Sequence, residues 1–384
     1  MRDVQDLLPW LTLGRVPGVG RRRYATLLRR FGSPEAVLAA PVSVLAATPG
    51  VGAPAAAAIA AAGRRTEGAS PRELAEADLQ ATLSLGLEIL TGNSPAYPEA
   101  LKHIYDPPPY LFVRGGLTEG DGVAVAIVGS RRASAYGRRV AEELAAGLAE
   151  AGVSVVSGMA RGIDGSAHRG ALGAGGRTIG VLGCGLDVVY PPEHRQLYAR
   201  VAAGGALITE YPPGTPPERY HFPERNRVIS GLCRGVVVVE AGEDSGALLT
   251  VDFALDQGRE VFAVPGSVYS RDSRGPHRLL RQGARLCESA ADILEELAIV
   301  PRRPAGGTWS APPSPPGEGF SEEERKVLAV LQPRDALTVD DVAAQVGLDA
   351  GSVAAVLLLL EVKGVARLLQ GQGYVRSPGP ARVN

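Results

Sequence analysis

The chain has little cysteine and no long hydrophobic run. Its three cysteines, Cys184, Cys233 and Cys287, are widely spaced, which excludes a disulfide framework and a Cys/His zinc cluster and indicates a reducing compartment. No apolar run approaches the roughly 18 residues of a membrane span. The first ten residues, MRDVQDLLPW, lack the apolar core of a signal peptide. We therefore expect a cytoplasmic protein without a metal ion or membrane contact.

Excess charge of one sign is also lacking. The 384 residues hold 40 Lys and Arg against 41 Asp and Glu, a net charge of −1, so global charge does not indicate a nucleic-acid binder. Only Lys102, Lys326 and Lys363 are lysines, and all other cations are arginine. With 45% hydrophobic and 21% charged residues, the composition is that of a globular protein, and the length predicts two or three domains.

Local composition divides the chain into three domains and a linker. Residues 1–75 carry ten basic and five acidic side chains and form the first segment, and residues 76–300 form the second. Residues 301–319, rich in Pro, Gly and Ser, predict a linker. Residues 320–384 show a helix–helix–helix–hairpin order, with a capping box at Ser321 and Glu324 and a turn at 371–373. This order predicts a winged helix.

The first segment contains an internal repeat. The tetrapeptide PGVG at 17–20 recurs at 49–52, each copy between helix-compatible stretches, which resembles a tandem helix-hairpin-helix (SAM-like) domain. Gly18 and Gly20 allow a tight turn whose N–H groups can hold a phosphate, and Arg21 and Arg22 follow directly. We expect the first hairpin to contact DNA phosphate and the second to be scaffold. A helical cap whose glycines only end helices is the alternative.

The middle segment alternates apolar β-branched runs with helical stretches. VAVAIVG, VSVVSG, RTIGVLG, ALITEYP, GVVVVEA and EVFAVPG predict buried strands. Such alternation is typical of βαβ units and predicts a Rossmann-like, doubly wound parallel sheet. Ligands of these sheets bind at the carboxyl ends of the strands. The loops that follow the strands therefore hold the candidate site.

Two of these loops combine glycine, serine and arginine. Gly129, Ser130 and Arg131 follow the first strand and precede a helix, where N–H groups and a guanidinium can hold an oxyanion. A turn with solvated arginines is the alternative. The second loop contains three further candidates, Ser157, Gly158 and Arg161.

Three features of these loops argue against an enzyme. Asp164 and His168 could form a catalytic pair, but a structural hydrogen bond is the commoner role of such a pair. The third loop, GCGLDV, lacks the last glycine of GxGxxG, which argues against a bound NAD(P). Cys184 has no cationic neighbour in sequence and is interpreted as a packing residue. We expect no cofactor.

The segment YPPGTPPERYHFPERNRVISGLCRG interleaves arginines with aromatic residues. Cations that follow a phosphate chain beside rings that stack on bases are the requirement for binding single-stranded nucleic acid. The candidate residues here are Arg219, Phe222, Arg225, Asn226 and Arg227. An arginine-rich structural turn is the alternative.

Together these motifs resemble the DNA-processing protein A family (DprA/Smf). GSR, SGMARGIDGSAH, GLDVVYPPEH, FPERNRVISG, SGALLT and VFAVPG occur in the family's order between Tyr97 and Leu286. The resemblance implies a protein that binds single-stranded DNA, protects incoming strands in natural transformation and loads a RecA-type recombinase. It also implies a homodimer formed through the Rossmann-like domains. The family's groove residues fall on Arg131, Arg219, Phe222 and the RNR motif at 225–227.

Two alternative functions remain to be weighed. The distantly related LOG-type nucleotide phosphoribohydrolases carry PGGxGTxxE, whereas this chain reads AGEDSGALLTVDFA, without the double glycine and the glutamate. Binding without catalysis is therefore favoured. A duplex-DNA regulator acting through the winged helix is disfavoured, because its third helix, near 351–363, offers only Lys363 as a cation. We expect that helix to pack against another protein or chain.

Overall fold

The computed structural model describes residues 4–64, 68–301, 321–332, 336–362, 365–369 and 373–376. The chain divides into two compact units, Met1–Ala305 and Gly306–Asn384. Three predicted features lie outside the described residues: the linker beyond residue 301, Lys363, and the hairpin turn at 371–372.

The first unit opens with a helical bundle. Its helices are α1 (Leu8–Arg15), α2 (Arg21–Phe31), α3 (Pro34–Ala39), α4 (Val42–Ala46), α5 (Gly52–Ala60) and α6 (Pro71–Ser84). A core around Trp10, Tyr24 and Leu27 holds the bundle together, with the Trp10 and Tyr24 rings stacked 6.3 Å apart. Arg15 donates two hydrogen bonds of 2.6 Å to the carboxylate of Asp78, which joins α1 to α6. The predicted boundary at residue 75 falls inside α6, and the division into domains stays a prediction.

The two PGVG turns agree at their first glycine and differ at their second. Gly18 and Gly50 have φ of +80° and +79°, in the left-handed region that glycine tolerates. Gly20 precedes α2 with φ of −78°, whereas Gly52 begins α5 with φ of +60°. The Arg23 guanidinium donates to the carbonyl oxygens of Gly18 and Gly50, at 2.6 Å each, so one arginine joins the two turns.

A nine-stranded sheet forms the centre of this unit. Its strands are β1 (Glu88–Thr91), β2 (Tyr110–Gly115), β3 (Ala124–Val128), β4 (Ser154–Ser157), β5 (Thr178–Val181), β6 (Ala206–Thr209), β7 (Gly235–Val238), β8 (Glu260–Ala263) and β9 (Arg285–Leu286). The order across the sheet is β1-β2-β6-β5-β4-β3-β7-β8-β9. Strands β3 to β8 are parallel, as predicted, and β9, which was not predicted, adds to them in parallel. The antiparallel edge, β1 with β2 and β2 with β6, was not predicted.

Helices cover both faces of the sheet, which confirms the predicted doubly wound fold. They are α7 (Glu99–Lys102), α8 (Ala135–Glu150), α9 (Ile163–Gly173), α10 (Arg195–Gly204), α11 (His221–Gly231), α12 (Leu248–Asp256), α13 (Arg274–Arg281) and α14 (Ala290–Glu296). The core on one face includes residues of α8, α9 and α14, and the core on the other includes residues of α7, α11, α12 and α13. Burial on both faces explains why the strands read as continuous apolar runs.

The strand order reverses between β3 and β7. From β3 the chain adds β4, β5 and β6 on one side, and it then returns to place β7 on the other side of β3. In open parallel sheets a crevice forms at such a point, outside the carboxyl ends of the strands. The loops after β3 and β7 flank this crevice.

The second unit is a small helical domain with a two-stranded hairpin. It comprises α15 (Glu322–Val330), α16 (Val339–Val346), α17 (Ala350–Val362), β10 (Ala366–Leu369) and β11 (Gly373–Arg376). Ser321 caps α15 in the predicted capping box with Glu324. Val353, Val356 and Leu360 of α17 are buried in the core of this unit, whereas Leu358 and Leu359 are exposed.

Across the described ranges, no single helix is both long and apolar enough to cross a membrane. The bent pair Val339–Val346 and Ala350–Glu361, with 108° between its helices, meets that test jointly, on length and composition alone.

Candidate functional site

A cleft of about 1250 Å³ opens at the carboxyl edge of the sheet. The loops after β4, β3, β7 and β8 and the start of α11 line it. It therefore lies where the strand order predicts a ligand. The site residues predicted from the sequence that line it are Gly129, Ser130, Arg131, Arg219, Phe222, Arg225 and Asn226.

An aromatic side chain of the cleft is flanked by a cation and a second ring. The guanidinium of Arg131 lies 5.0 Å from the centre of the Phe222 ring, within the range of a cation–π contact. The ring of Tyr190 lies 5.5 Å from Phe222 on another side, tilted by 33°. A Cβ on Gly183 would lie 3.1 Å from Cδ1 of Phe222, so the ring packs closely against the backbone at this glycine.

The loop that carries Arg131 is fixed by its backbone. The N–H of Ser130 donates to the carbonyl of Glu240 at 2.6 Å, and the Ser130 carbonyl accepts from the Ile163 N–H at 3.2 Å. A Cβ on Gly129 would lie 2.6 Å from Cγ1 of Ile163 and 2.7 Å from the Glu240 oxygen. Gly129 is thus needed for packing between three loops, and it holds Ser130 and Arg131 at the cleft.

The helix that follows this loop has part of its N-terminus occupied by side chains of the protein itself. Oγ of Ser134 accepts from the Gly137 N–H at 3.0 Å. The Glu240 carboxylate, 4% exposed, accepts from the N–H and the hydroxyl of Ser134 at 2.8 and 2.5 Å. A carboxylate of the protein already occupies the positive end of α8.

A second carboxylate occupies the loop after β4. Oδ2 of Asp164 accepts from the N–H groups of Gly158 and Ala160 at 3.2 and 3.3 Å, and burial raises the pKa of this carboxyl against the opposing effect of Arg225. The predicted residue Ser157 is fully buried and donates to the Ile127 carbonyl at 2.6 Å. Gly158 packs beneath Arg225 and Asp164, since a Cβ there would lie 2.6 Å from one and 2.7 Å from the other.

Arg161, the third candidate in this loop, does not line the cleft. Its guanidinium is exposed and pairs with Glu193, and this pairing lowers the pKa of Glu193 to about 2. Ser157, Gly158 and Arg161 are thus close in sequence, but they do not form one surface that faces a ligand.

The three residues of the RNR motif have different surroundings. Arg225 is only 4% exposed and donates to the carbonyls of Gly158, at 2.8 Å, and of Val181. Burial lowers the pKa of its guanidinium. Nδ2 of Asn226 donates to the Gly246 carbonyl at 3.3 Å and thereby links α11 to the loop after β7.

Arg227 lies away from the cleft. It is 2% exposed, pairs with Glu210, and lies 3.3 Å from the carboxylate of Asp106 while donating to the Asp106 carbonyl at 2.8 Å. Of this motif, only Asn226 and the buried Arg225 line the cleft.

Four exposed arginines of the cleft make no ion pair within the part of the chain that the structure describes. They are Arg131, Arg132, Arg219 and Arg271. Of these, Arg132 and Arg271 were not named from the sequence, although Arg132 directly follows Arg131 and Arg271 follows β8 at the same edge. Arg274, at the same end, lies 3.7 Å from the Glu243 carboxylate. Arginines that make no ion pair with another described residue thus lie on both sides of the cleft.

The arginines after the first PGVG turn contact the protein itself. Arg21 forms ion pairs with Glu224 at 2.7 Å and with Glu210 at 3.5 Å, which attach α2 to the sheet domain. The guanidinium of Arg22 lies 5.0 Å above the Tyr105 ring. Gly18 forms the turn and Gly20 precedes α2. The predicted phosphate contact of Gly18, Gly20, Arg21 and Arg22 stays a prediction.

His168 and Cys184, which the sequence offered for catalysis, are both buried. Nδ1 of His168 lies 2.7 Å from Oγ1 of Thr178 in a fully buried position, and burial lowers the pKa of this imidazole to about 3. Burial likewise raises the pKa of Cys184 to about 11. No cluster of potential metal ligands occurs among the described residues.

Comparison with known proteins gives two family matches. The family model of DNA recombination-mediator protein A matches residues 88–298, and the model of the DprA winged helix domain matches residues 310–372.

Curated and solved proteins agree with these matches. The DNA processing protein DprA of Bacillus subtilis is 47% identical over 213 residues, 55% of this chain and 72% of the relative. The X-ray structure of DprA from Streptococcus pneumoniae superimposes with a TM-score of 0.64 and 35% identity, over 74% of this chain and 95% of that one. A DprA structure from Helicobacter pylori, described for its single-stranded DNA binding mode, has a TM-score of 0.50 and 29% identity, over 55% of this chain and 95% of that one.

Proposed function

The chain belongs to the DNA recombination-mediator protein A (DprA/Smf) family of DNA-processing proteins, and from this premise we propose that it binds single-stranded DNA in the cleft at the carboxyl edge of its sheet. The bound strand is not cleaved. The protein protects it in the cytoplasm and delivers it to a RecA-type recombinase in natural transformation and recombination.

The observation that carries this proposal is the cluster of Arg131 and Phe222. The guanidinium and the ring lie 5.0 Å apart in an open cleft, and Arg131 has no acidic partner in the described part of the chain. A cation for phosphate beside a ring for a base is the combination that binds single strands without sequence preference. Arg132 and Arg219 extend the basic lining on either side of this cluster.

The hydrogen bonds of the backbone N–H groups at the start of α8 and in the loop before α9 support a polynucleotide over a mononucleotide substrate. Enzymes that act on nucleotides commonly hold the phosphate at a helix N-terminus. Here Glu240 and Asp164 accept the hydrogen bonds of the backbone N–H groups at α8 and before α9. Phosphate recognition therefore depends on exposed guanidinium groups, which contact a flexible strand as it passes through the cleft.

The predicted site residues then divide into two roles. Arg131, Arg219, Phe222 and Asn226 contact DNA from the cleft surface. Arg225 acts as a positioning residue, because its hydrogen bonds join the carbonyl ends of β4 and β5 beneath that surface. Gly129, Gly158 and Ser157 shape the same loops, and Arg227, with its two carboxylates, fixes α11 to the sheet domain.

A relative supports the choice of single strands. The Helicobacter pylori protein binds single-stranded DNA, as its description states, and shares 29% of its residues with this chain over the aligned region. Delivery to a recombinase follows the description of the family as recombination mediators. The proposal has three further parts. The chain forms a homodimer through its Rossmann-like domains, residues 1–75 form a separate domain, and the winged helix contacts protein instead of DNA.

The deciding experiment is fluorescence anisotropy on the full chain with short labelled oligonucleotides, single-stranded and duplex. We expect the wild type to favour the single strand, with affinity that falls steeply as salt rises, and Arg131→Ala to weaken that binding. Equal loss on both forms would indicate a general basic patch. Turnover of free nucleotides, measured in the same preparation, would instead support a hydrolase.

A further inference from the structure

The loop after β8 presents an aromatic side chain to solvent at the rim of the cleft. Tyr269 is 95% exposed and Val268 is 78% exposed. Two residues later, Arg271 lines the cleft itself. The exposed ring presents an apolar face that is free to stack on a ligand.

The backbone that carries Tyr269 is held at several points. The hydroxyl of Tyr136 donates to the Pro265 carbonyl at 2.9 Å, and Nε2 of His277 lies 3.1 Å from the Gly266 carbonyl. Within the loop, the Ser270 N–H donates to the Ser267 carbonyl at 3.0 Å. The exposed ring therefore extends from an ordered turn, and binding a ligand there orders little additional backbone.

The same loop is joined to the other side of the cleft. The Ala241 N–H donates to the Asp272 carbonyl at 2.7 Å, and the Ala241 carbonyl accepts from the Gly275 N–H at 2.9 Å. These bonds fix the position of Arg271 relative to the loop after β7. Arg271 is exposed and makes no ion pair within the described ranges, so its charge is available to a ligand.

The order of strands places this loop away from the Arg131–Phe222 cluster. Strand β8 is separated from β3 by β7 alone, which corresponds to two strand spacings, or about 10 Å. Successive phosphates of one stacked strand are roughly 3.4 Å apart along its axis. A strand anchored at Arg131 reaches Arg271 after about three nucleotides.

We propose that Arg271 and Tyr269 form a second contact point for the bound strand, with Arg271 on a phosphate and the Tyr269 ring stacked on a base. The inference rests on the proposed function and adds to it the direction of the strand, across the carboxyl ends of β3, β7 and β8. The pairing of an uncommitted cation with a neighbouring ring repeats the chemistry of the first cluster, which favours DNA over a protein partner at this rim.

Oligonucleotide length separates the two contact points. A thymidine dinucleotide is too short to reach from Arg131 to Arg271, which lie about three nucleotides apart, whereas an oligothymidylate of about twelve nucleotides spans both contact points. We expect Tyr269→Ala and Arg271→Ala to weaken the longer oligonucleotide at least about fivefold and the shorter one less than about twofold. Leu255→Ala is the matched control, because Leu255 is 63% exposed at the far end of α12. It should change neither affinity.

A tryptophan at the rim gives a direct readout. In Tyr269→Trp, stacking on a base should quench the indole emission when the longer oligonucleotide is added, while Leu255→Trp should show no such change. Equal affinities of wild type and Tyr269→Ala for both oligonucleotides, or an unquenched indole at saturation, would overturn the inference and leave the first cluster intact.

Two further outcomes have a clear meaning. If the wild type binds neither oligonucleotide, the proposed function fails, and the inference fails with it. If Tyr269→Ala alters the mass measured by light scattering but not DNA affinity, the rim is an interface between copies of the chain, which also refutes the second contact point.

Discussion

Replacing Arg225 by alanine tests whether this arginine supports the cleft or contacts DNA. Its guanidinium is 4% exposed and donates to the carbonyls of Gly158 and Val181, while the buried Asp164 carboxylate lies against the same glycine. The substitution leaves these two buried carbonyl oxygens without their donor, while Asp164 keeps its hydrogen bonds from the N–H groups of Gly158 and Ala160. Leaving a buried acceptor unsatisfied costs about 1–3 kcal/mol for each group. We therefore expect the melting temperature of the full chain to fall by roughly 10 °C.

The salt dependence of DNA binding supplies the second readout. A cation that contacts phosphate contributes about 0.7 to the slope of log affinity against log salt for a single strand. We expect Arg225→Ala to keep the wild-type slope, measured by anisotropy below its melting temperature. The exposed Arg219 is the matched comparison: Arg219→Ala should lower the slope by about 0.7 and change stability by less than about 0.5 kcal/mol. An Arg225→Ala protein with wild-type stability and a reduced slope would refute this reasoning.

Three further substitutions test the site and its scaffold. Phe222→Ala should weaken single-strand binding by about 1–3 kcal/mol if the ring stacks on a base, measured by anisotropy against the conservative Phe222→Tyr, which should retain most of the affinity. Gly129→Ala should destabilise the fold, because its Cβ would lie 2.6 Å from Cγ1 of Ile163 and 2.7 Å from the Glu240 carbonyl; an unchanged denaturation midpoint would contradict the packing described here. Burial lowers the pKa of His168 from 6.5 to about 3 in the folded state, so between these pH values the unfolded chain binds a proton that the folded chain does not. His168 therefore makes stability fall by up to about 1.4 kcal/mol per pH unit as pH drops below 6.5. Urea denaturation at pH 7 and pH 5 should show a smaller pH effect in His168→Gln than in the wild type, and equal effects would exclude a neutral buried imidazole.

The central fold was predictable because local patterns agree with the tertiary result. Runs such as VAVAIVG are apolar on both faces, and a strand covered by helices on both sides of a parallel sheet requires this composition. The hairpin of β1 and β2 escaped prediction, since its strands, Glu88–Thr91 and Tyr110–Gly115, lie 18 residues apart and pair in antiparallel fashion at an edge. Neither strand is followed by the helical stretch that identified the other strands.

The residues of the candidate site were predictable from the sequence, but the role of each residue was predictable only in part. Loops after parallel strands must meet at one edge, so Arg131, Arg219 and Phe222 reach a common cleft, as their positions after the strands indicate. Arg225 and Arg227 have the same side chain as Arg131 and stand in a more basic stretch, yet both are buried. Their partners, the carbonyls of Gly158 and Val181 and the carboxylate of Glu210, are distant in sequence.

The amino-acid sequence alone determined the family, the alternation of strands and helices from β3 to β8, the glycine turns and the edge of the sheet where the site lies. These follow from periodicity and backbone freedom, which are properties of short segments. Tertiary structure alone decided which arginines stay free to bind a ligand, because the carbonyl and carboxylate groups that pair with an arginine lie far from it in the sequence. It also decided that Glu240 accepts at the start of α8, that Asp164 accepts in the loop before α9, and that Arg271 lines the same cleft as cations from other loops.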